Sequence, residues 1–130
     1  MFRGICLALC ALTMLSTPAF AGGGGGTKKD ATIKVTNDYP STSFSRIGVI
    51  LDQTNAQLTA INNATNREQA FIDAGGKFLT PGATASFSVK SGDHSIVIIG
   101  VNPNANPSQL SQVTKAVGRG ATLSLNAQNP

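Results

Sequence analysis

Hydrophobic and polar residues alternate along several short segments of this chain, which predicts β-strands with one buried face. Residues 31–36 and 83–89 alternate most regularly, and residues 46–52 contain a β-branched run typical of a buried strand. Residues 96–99 are apolar at every position, so this strand is expected to be covered on both faces. Further strands are predicted at residues 78–79, 113–117 and 121–125.

Turn-forming residues separate these segments. Residues 80–82, 91–93 and 118–120 contain proline, glycine, serine or aspartate, and the loop at 102–108 holds two prolines. The sequence therefore predicts an all-β domain over residues 31–130, a small antiparallel β-sandwich of about seven strands joined by hairpins.

Residues 53–73 do not follow a two-residue period. Leu58 and Ile61 are three positions apart, and Thr54 or Asn55 is suited to begin a helix. The pair at 62–63, two asparagines, interrupts any longer helical pattern. We expect a long excursion here, with a short strand or one helical turn near residues 57–61.

The first 21 residues have the three parts of a secretory signal peptide. Arg3 supplies the positive charge, Ile5 to Leu15 form the apolar segment, and small residues precede a cleavage point after Ala21. The apolar segment is too short to span a bilayer, so we expect a secreted or periplasmic protein without a transmembrane segment after cleavage. Residues 22–30, with five consecutive glycines, are expected to be a flexible segment.

Composition excludes several functional classes. Both cysteines, Cys6 and Cys10, lie in the predicted leader, which leaves the mature chain without disulfides, thiol catalysis or cysteine zinc sites. The net charge of +4 comes from scattered residues, unlike a nucleic-acid-binding surface. With no Trp and one Tyr, Tyr39, the composition disfavours a carbohydrate-binding module, because sugars usually stack on exposed aromatic rings.

A Pro81-Gly82 turn, an alternating strand, a Ser91-Gly92 turn and an apolar strand follow one another in residues 80–101. This segment resembles the hairpin of PEGA-like small bacterial secreted β-sandwich modules. The resemblance implies a surface-associated sandwich and identifies no functional residue.

Asp93, His94 and Ser95 are the residue types of a nucleophilic triad, but successive side chains of a strand point to opposite faces. We therefore expect Asp93 to shape a turn and His94 to be a surface residue. Loops at one end of the sandwich could bring Asp38 to Asp52 or Asp73 around calcium, although no calcium-loop spacing occurs. No catalytic, cofactor-binding or metal-binding residue is predicted.

Three functional hypotheses follow. The first is a non-enzymatic binding or structural module in the periplasm or at the cell surface, with a protein or cell-envelope partner. Its outward strand faces would be rich in hydroxyl groups, from Thr32, Thr36, Thr84, Ser86, Ser88, Thr122 and Ser124. The second is a subunit of an extracellular fibre, in which the Gly-rich segment and first strand add to a neighbour's sheet. The third is a small hydrolase or calcium-dependent enzyme that gathers His94 with at least two of Asp38, Asp52, Asp73 and Asp93.

Overall fold

The computed structural model describes residues 29–130. The predicted signal peptide and residues 22–28 of the Gly-rich segment lie outside the described residues. The chain forms seven strands and two short helices: β1 (Ala31–Thr36), β2 (Arg46–Leu51), α1 (Asn55–Asn63), α2 (Arg67–Asp73), β3 (Lys77–Leu79), β4 (Thr84–Val89), β5 (Gly92–Val101), β6 (Ser108–Val117) and β7 (Thr122–Asn126).

The strands form two sheets, which confirms the prediction of a mostly β fold. Sheet A has the order β4-β1-β7, and sheet B has the order β3-β2-β5-β6. The prediction of purely antiparallel pairing is wrong, because β1 pairs with β7 in parallel, with Ile33 opposite Leu123. The first and last strands of the domain thus meet inside sheet A, and no hairpin turn can join them.

The predicted hairpins at 91–93 and 118–120 do not form. Strands β4 and β5 lie in different sheets, as do β6 and β7, so each turn carries the chain across the sandwich. The strand predicted at 113–117 is also longer than expected. Strand β6 begins at Ser108, where its polar residues pair with the end of β5.

The main core lies between the two sheets. Alternate residues of β1 and β4 face inward from sheet A, and Phe87 is among them, as the strand pattern predicts. The fully buried side chains of this core are Ile33, Val35, Ile47, Val49, Ile96 and Ile98. The loop between β1 and β2 covers one end, where the rings of Tyr39 and Phe44 pack edge to face with centroids 5.3 Å apart.

Hydrogen bonds of Asp30 and Asn37 hold the two ends of β1 in place. Asp30, which the sequence places in the flexible segment, donates its backbone N–H to Val89 and accepts from Gly120. Asn37 is fully buried at the end of β1, and its side-chain amide donates to the Leu79 carbonyl at 2.9 Å. The Asn37 side-chain oxygen accepts from the backbone N–H of Tyr39 at 3.1 Å, so both ends of the amide are bonded.

Residues 53–73 form two helices, which corrects the expected strand or single helical turn. Thr54 caps α1 and shares a reciprocal capping box with Gln57. Asn66 caps α2 by accepting from the backbone N–H of Gln69. The asparagines at 62–63 end the first helix without preventing a second one.

The helices cover the outer face of sheet B. Phe71 of α2 packs there on Ile50 and Val97, and these three side chains are buried. The prediction that the β5 segment is covered on both faces is thereby confirmed. Gly48 and Gly76 lie directly against the Phe71 ring, where an added Cβ atom would overlap it.

Candidate functional site

A groove opens between the helix pair and the outer face of sheet B. Its volume is about 540 Å³, within the range of small-molecule sites. Helices α1 and α2 form one wall, and the loop at 102–107 with the start of β6 forms the other. The groove exists because the two short helices cover Val97 but leave Ile99 and Val101, further along β5, only partly buried.

The inner end of the groove is apolar. Ile50 and Val97 lie buried beneath it, and Leu58 and Ile61 of α1 contribute to its wall. Leu58 and Ile61 are only partly buried, so they keep apolar surface exposed towards the opening. Exposed apolar surface that is gathered in a concave site usually serves binding.

The other end of the groove is polar and contains a paired arginine. Arg46 begins β2, and its two terminal nitrogens donate to the Glu68 carboxylate at 2.9 and 2.8 Å. This hydrogen bonding, together with the charge of Arg46, outweighs desolvation and lowers the pKa of Glu68 below its ordinary value. The Arg46 guanidinium also lies 4.3 Å from the centre of the Phe78 ring, which fixes its position over the groove floor.

A second arginine lies at the same end. Arg67 begins α2 and donates from its Nη1 atom to the side-chain oxygen of Asn106 at 3.2 Å. Asn106 belongs to the loop between β5 and β6, so this bond joins the two walls of the groove. Because an amide carries no net charge, the positive charge of Arg67 is not neutralised by that bond.

The outward hydroxyl groups predicted from the strand pattern lie on one surface, the outer face of sheet A. Strand registers place Lys34 at the centre of this face, with Ser86 and Ser124 beside it. The other members are Thr32, Thr36, Thr84, Ser88 and Thr122. The hydroxyls of Thr36 and Thr84 are 2.8 Å apart and hydrogen-bond to each other.

His94 is not the surface residue that the sequence predicts, because its side chain is only 11% exposed. Its Nδ1 atom lies 2.7 Å from Asp52 Oδ2, and its Nε2 atom lies 2.7 Å from the Lys90 carbonyl oxygen. Both partners accept, so the doubly protonated ring satisfies both. Burial lowers the pKa of His94, but the bonds to Asp52 and Lys90 outweigh it and raise the pKa above its ordinary value.

The carboxylates considered for calcium or catalysis hydrogen-bond to different partners. Asp38 accepts from the backbone N–H of Gln128, and Asp73 accepts from the side chain of Gln69. Within residues 29–130, no three His, Cys, Asp or Glu side chains are grouped closely enough to hold a metal ion. Of the acidic residues named in the enzymatic hypothesis, Asp52 is the one whose side chain hydrogen-bonds to the His94 ring.

In the described part of the chain, neither helix has the length and apolar character that a membrane-spanning helix requires.

Sequence reasoning missed the groove, although two signals pointed towards it. The fully apolar β5 segment required a cover for its second face, and the spacing of Leu58 and Ile61 supplied an apolar helix stripe. The incomplete fit between the cover and the sheet cannot be seen in either pattern.

Comparisons with protein-family models, curated proteins and solved structures found no match for this chain.

Proposed function

We propose that this chain is an exported, non-enzymatic binding module that holds a small apolar ligand in the groove between its helices and sheet B. The observation that carries the proposal is the partly exposed apolar surface gathered along that groove, from Leu58 and Ile61 to Ile99. Burying such surface against a ligand is favourable by about 25 cal/mol per Å². Placement outside the cytoplasm rests on the leader-like residues 1–21.

The groove supports binding better than the hydroxyl-rich face of sheet A does. Polar residues on the solvent-facing side of a sheet need no explanation beyond their contact with water. Apolar surface that faces water costs free energy. An apolar groove is therefore better explained by ligand binding than by folding alone.

The fibre hypothesis has less support from the position of β1. This strand is central in sheet A, paired with β4 on one side and β7 on the other. Ile33 and Val35 are fully buried there, so donating β1 to a neighbour would dismantle the donor's own core.

The proposal is tested with the uncharged fluorescent probe N-phenyl-1-naphthylamine and the purified protein. We expect saturable fluorescence enhancement at one site. Thr59→Phe places a ring on the exposed α1 wall of the groove and should weaken binding at least tenfold. Ala56→Phe adds the same ring to an exposed position of α1 that does not line the groove, and should bind as the wild type does.

Both variants change exposed positions, so their cooperative unfolding should match the wild type and exclude a folding defect. Absence of saturable enhancement would refute the proposal. Equal binding by Thr59→Phe and Ala56→Phe would also refute it, because the probe would then bind elsewhere.

A further inference from the structure

We infer that the groove selects amphipathic anions, molecules with an apolar chain and one negatively charged head group placed beside Arg67. This inference rests on the proposed function, because it names the class of ligand for the same groove. It follows from the change in the groove lining, which is apolar at one end and charged at the other.

The strand register gives the groove a direction. Ile50 is paired with Val97, whereas Arg46 is paired with Val101 four residues further along β5. A strand advances about 3.3 Å per residue, so these two positions are about 13 Å apart. That separation is close to the length of an extended decyl chain.

The two ends differ in chemistry. Leu58 and Ile61 flank the Ile50 and Val97 end, which offers no side-chain charge. The lining residues that carry charge are Arg46, Arg67 and Glu68, and all three belong to the other end, where β2 and α2 begin. A ligand that fills the groove therefore meets charge at one end only.

The charge at that end is net positive. Glu68 is engaged by both terminal nitrogens of Arg46, which neutralises that pair. Arg67 remains as a cation bonded to a neutral amide. A guanidinium group can hold a carboxylate, sulfate or phosphate head through two nitrogens. A cationic head would be repelled from the same position.

The test compares three ligands with the same ten-carbon chain, decanoate, decanol and decyltrimethylammonium, by displacement of the fluorescent probe. Decanoate should bind about fivefold more tightly than decanol, the value expected for one partly exposed charge pair. Decyltrimethylammonium should bind most weakly. The preference for decanoate over decanol should decrease as salt is added.

Two charge-removing variants locate the effect. Arg67→Gln should abolish the preference, so that decanoate binds no more tightly than decanol does. Arg119→Gln removes an equal charge from the exposed turn before β7, at the opposite end of β6, and should keep the preference.

The outcomes separate this inference from the proposed function. If decanol binds as tightly as decanoate, or if the preference survives Arg67→Gln, the choice of an anionic head is wrong and the groove remains a binding site. If none of the three ligands displaces the probe, or the probe itself does not bind, the proposed function fails with it.

Discussion

Replacing Phe71 with alanine tests whether α2 is held on the sheet as the structure describes. Phe71 is the one buried side chain of the two helices, with 4% of its surface exposed. It packs tilted on Phe78, with ring centroids 4.9 Å apart, and touches the backbone of Gly48 and Gly76. Its removal should therefore weaken the attachment of the whole helix pair.

The magnitude follows from the burial of the ring. A buried phenylalanine removes about 200 Å² from water, worth about 5 kcal/mol at about 25 cal/mol per Å². Alanine retains a small part of this, and measured Phe→Ala changes are about 3–5 kcal/mol. Two of the neighbours, Gly48 and Gly76, have no side chain that could move into the cavity. We expect a loss of about 4 kcal/mol in the free energy of unfolding.

Urea unfolding followed by circular dichroism measures this loss. Ile72→Ala is the matched control, since the adjacent Ile72 is 46% exposed and should lose less than about 1 kcal/mol. Equal losses for the two variants, or a loss below about 1 kcal/mol for Phe71→Ala, would refute the described packing of α2 on sheet B.

Three further predictions concern the sandwich. Asn37→Ala leaves the Leu79 carbonyl and the Tyr39 backbone N–H without their hydrogen-bond partner. It should lower the free energy of unfolding in urea by about 2–3 kcal/mol. An unchanged unfolding midpoint would contradict these two hydrogen bonds. Because the pKa of His94 is raised in the folded state, the stability that it contributes is complete below about pH 6.5 and lost as pH rises through the folded pKa. The difference in unfolding free energy between wild type and His94→Gln should accordingly shrink from pH 6 to pH 9, and a growing difference would oppose this account. In Gly100→Ala the added methyl group overlaps the Phe44 ring and should lower the free energy of unfolding by about 1–3 kcal/mol. Most of this loss should disappear when Gly100→Ala is introduced into a Phe44→Ala background. If the losses of the two single variants simply add in the double variant, the contact is excluded.

Strand positions were the most predictable feature because each half-buried strand carries its own alternating pattern. Strands β1 and β4 match their patterns closely, and the apolar β5 segment correctly indicated a second cover. The partners of each strand were less predictable. A period of two residues says which side chains are buried, but not which strand lies beside them, so the parallel pairing of β1 with β7 was missed.

The helices were underestimated for a different reason. The asparagines at 62–63 were interpreted as breaking the helical pattern, whereas they end one helix shortly before Asn66 begins another. The capping box of Thr54 and Gln57 was the available signal for a full helix. Similarly, the local pattern around His94 could not reveal Asp52, which lies 42 residues earlier in the chain and reaches the ring through the pairing of β2 with β5.

The groove is the least predictable feature because it depends on how completely one layer covers another. Leu58, Phe71 and Val97 follow ordinary core patterns, and only their relative placement leaves an opening. Likewise, the charges of Arg46 and Arg67 are unremarkable in sequence, where they are 21 positions apart. The fold brings both to one end of the groove.

Mapping the ligand position by backbone amide chemical shifts tests the central claim most directly. On titration of the labelled protein with decanol, the largest changes should fall on the backbone amides of residues that line the groove. These include Leu58, Thr59, Ile61, Asn62, Val97, Ile99, Val101, Ala105, Asn106 and Gln109. Changes concentrated on the hydroxyl-rich face of β1, β4 and β7, or no changes at all, would contradict the account.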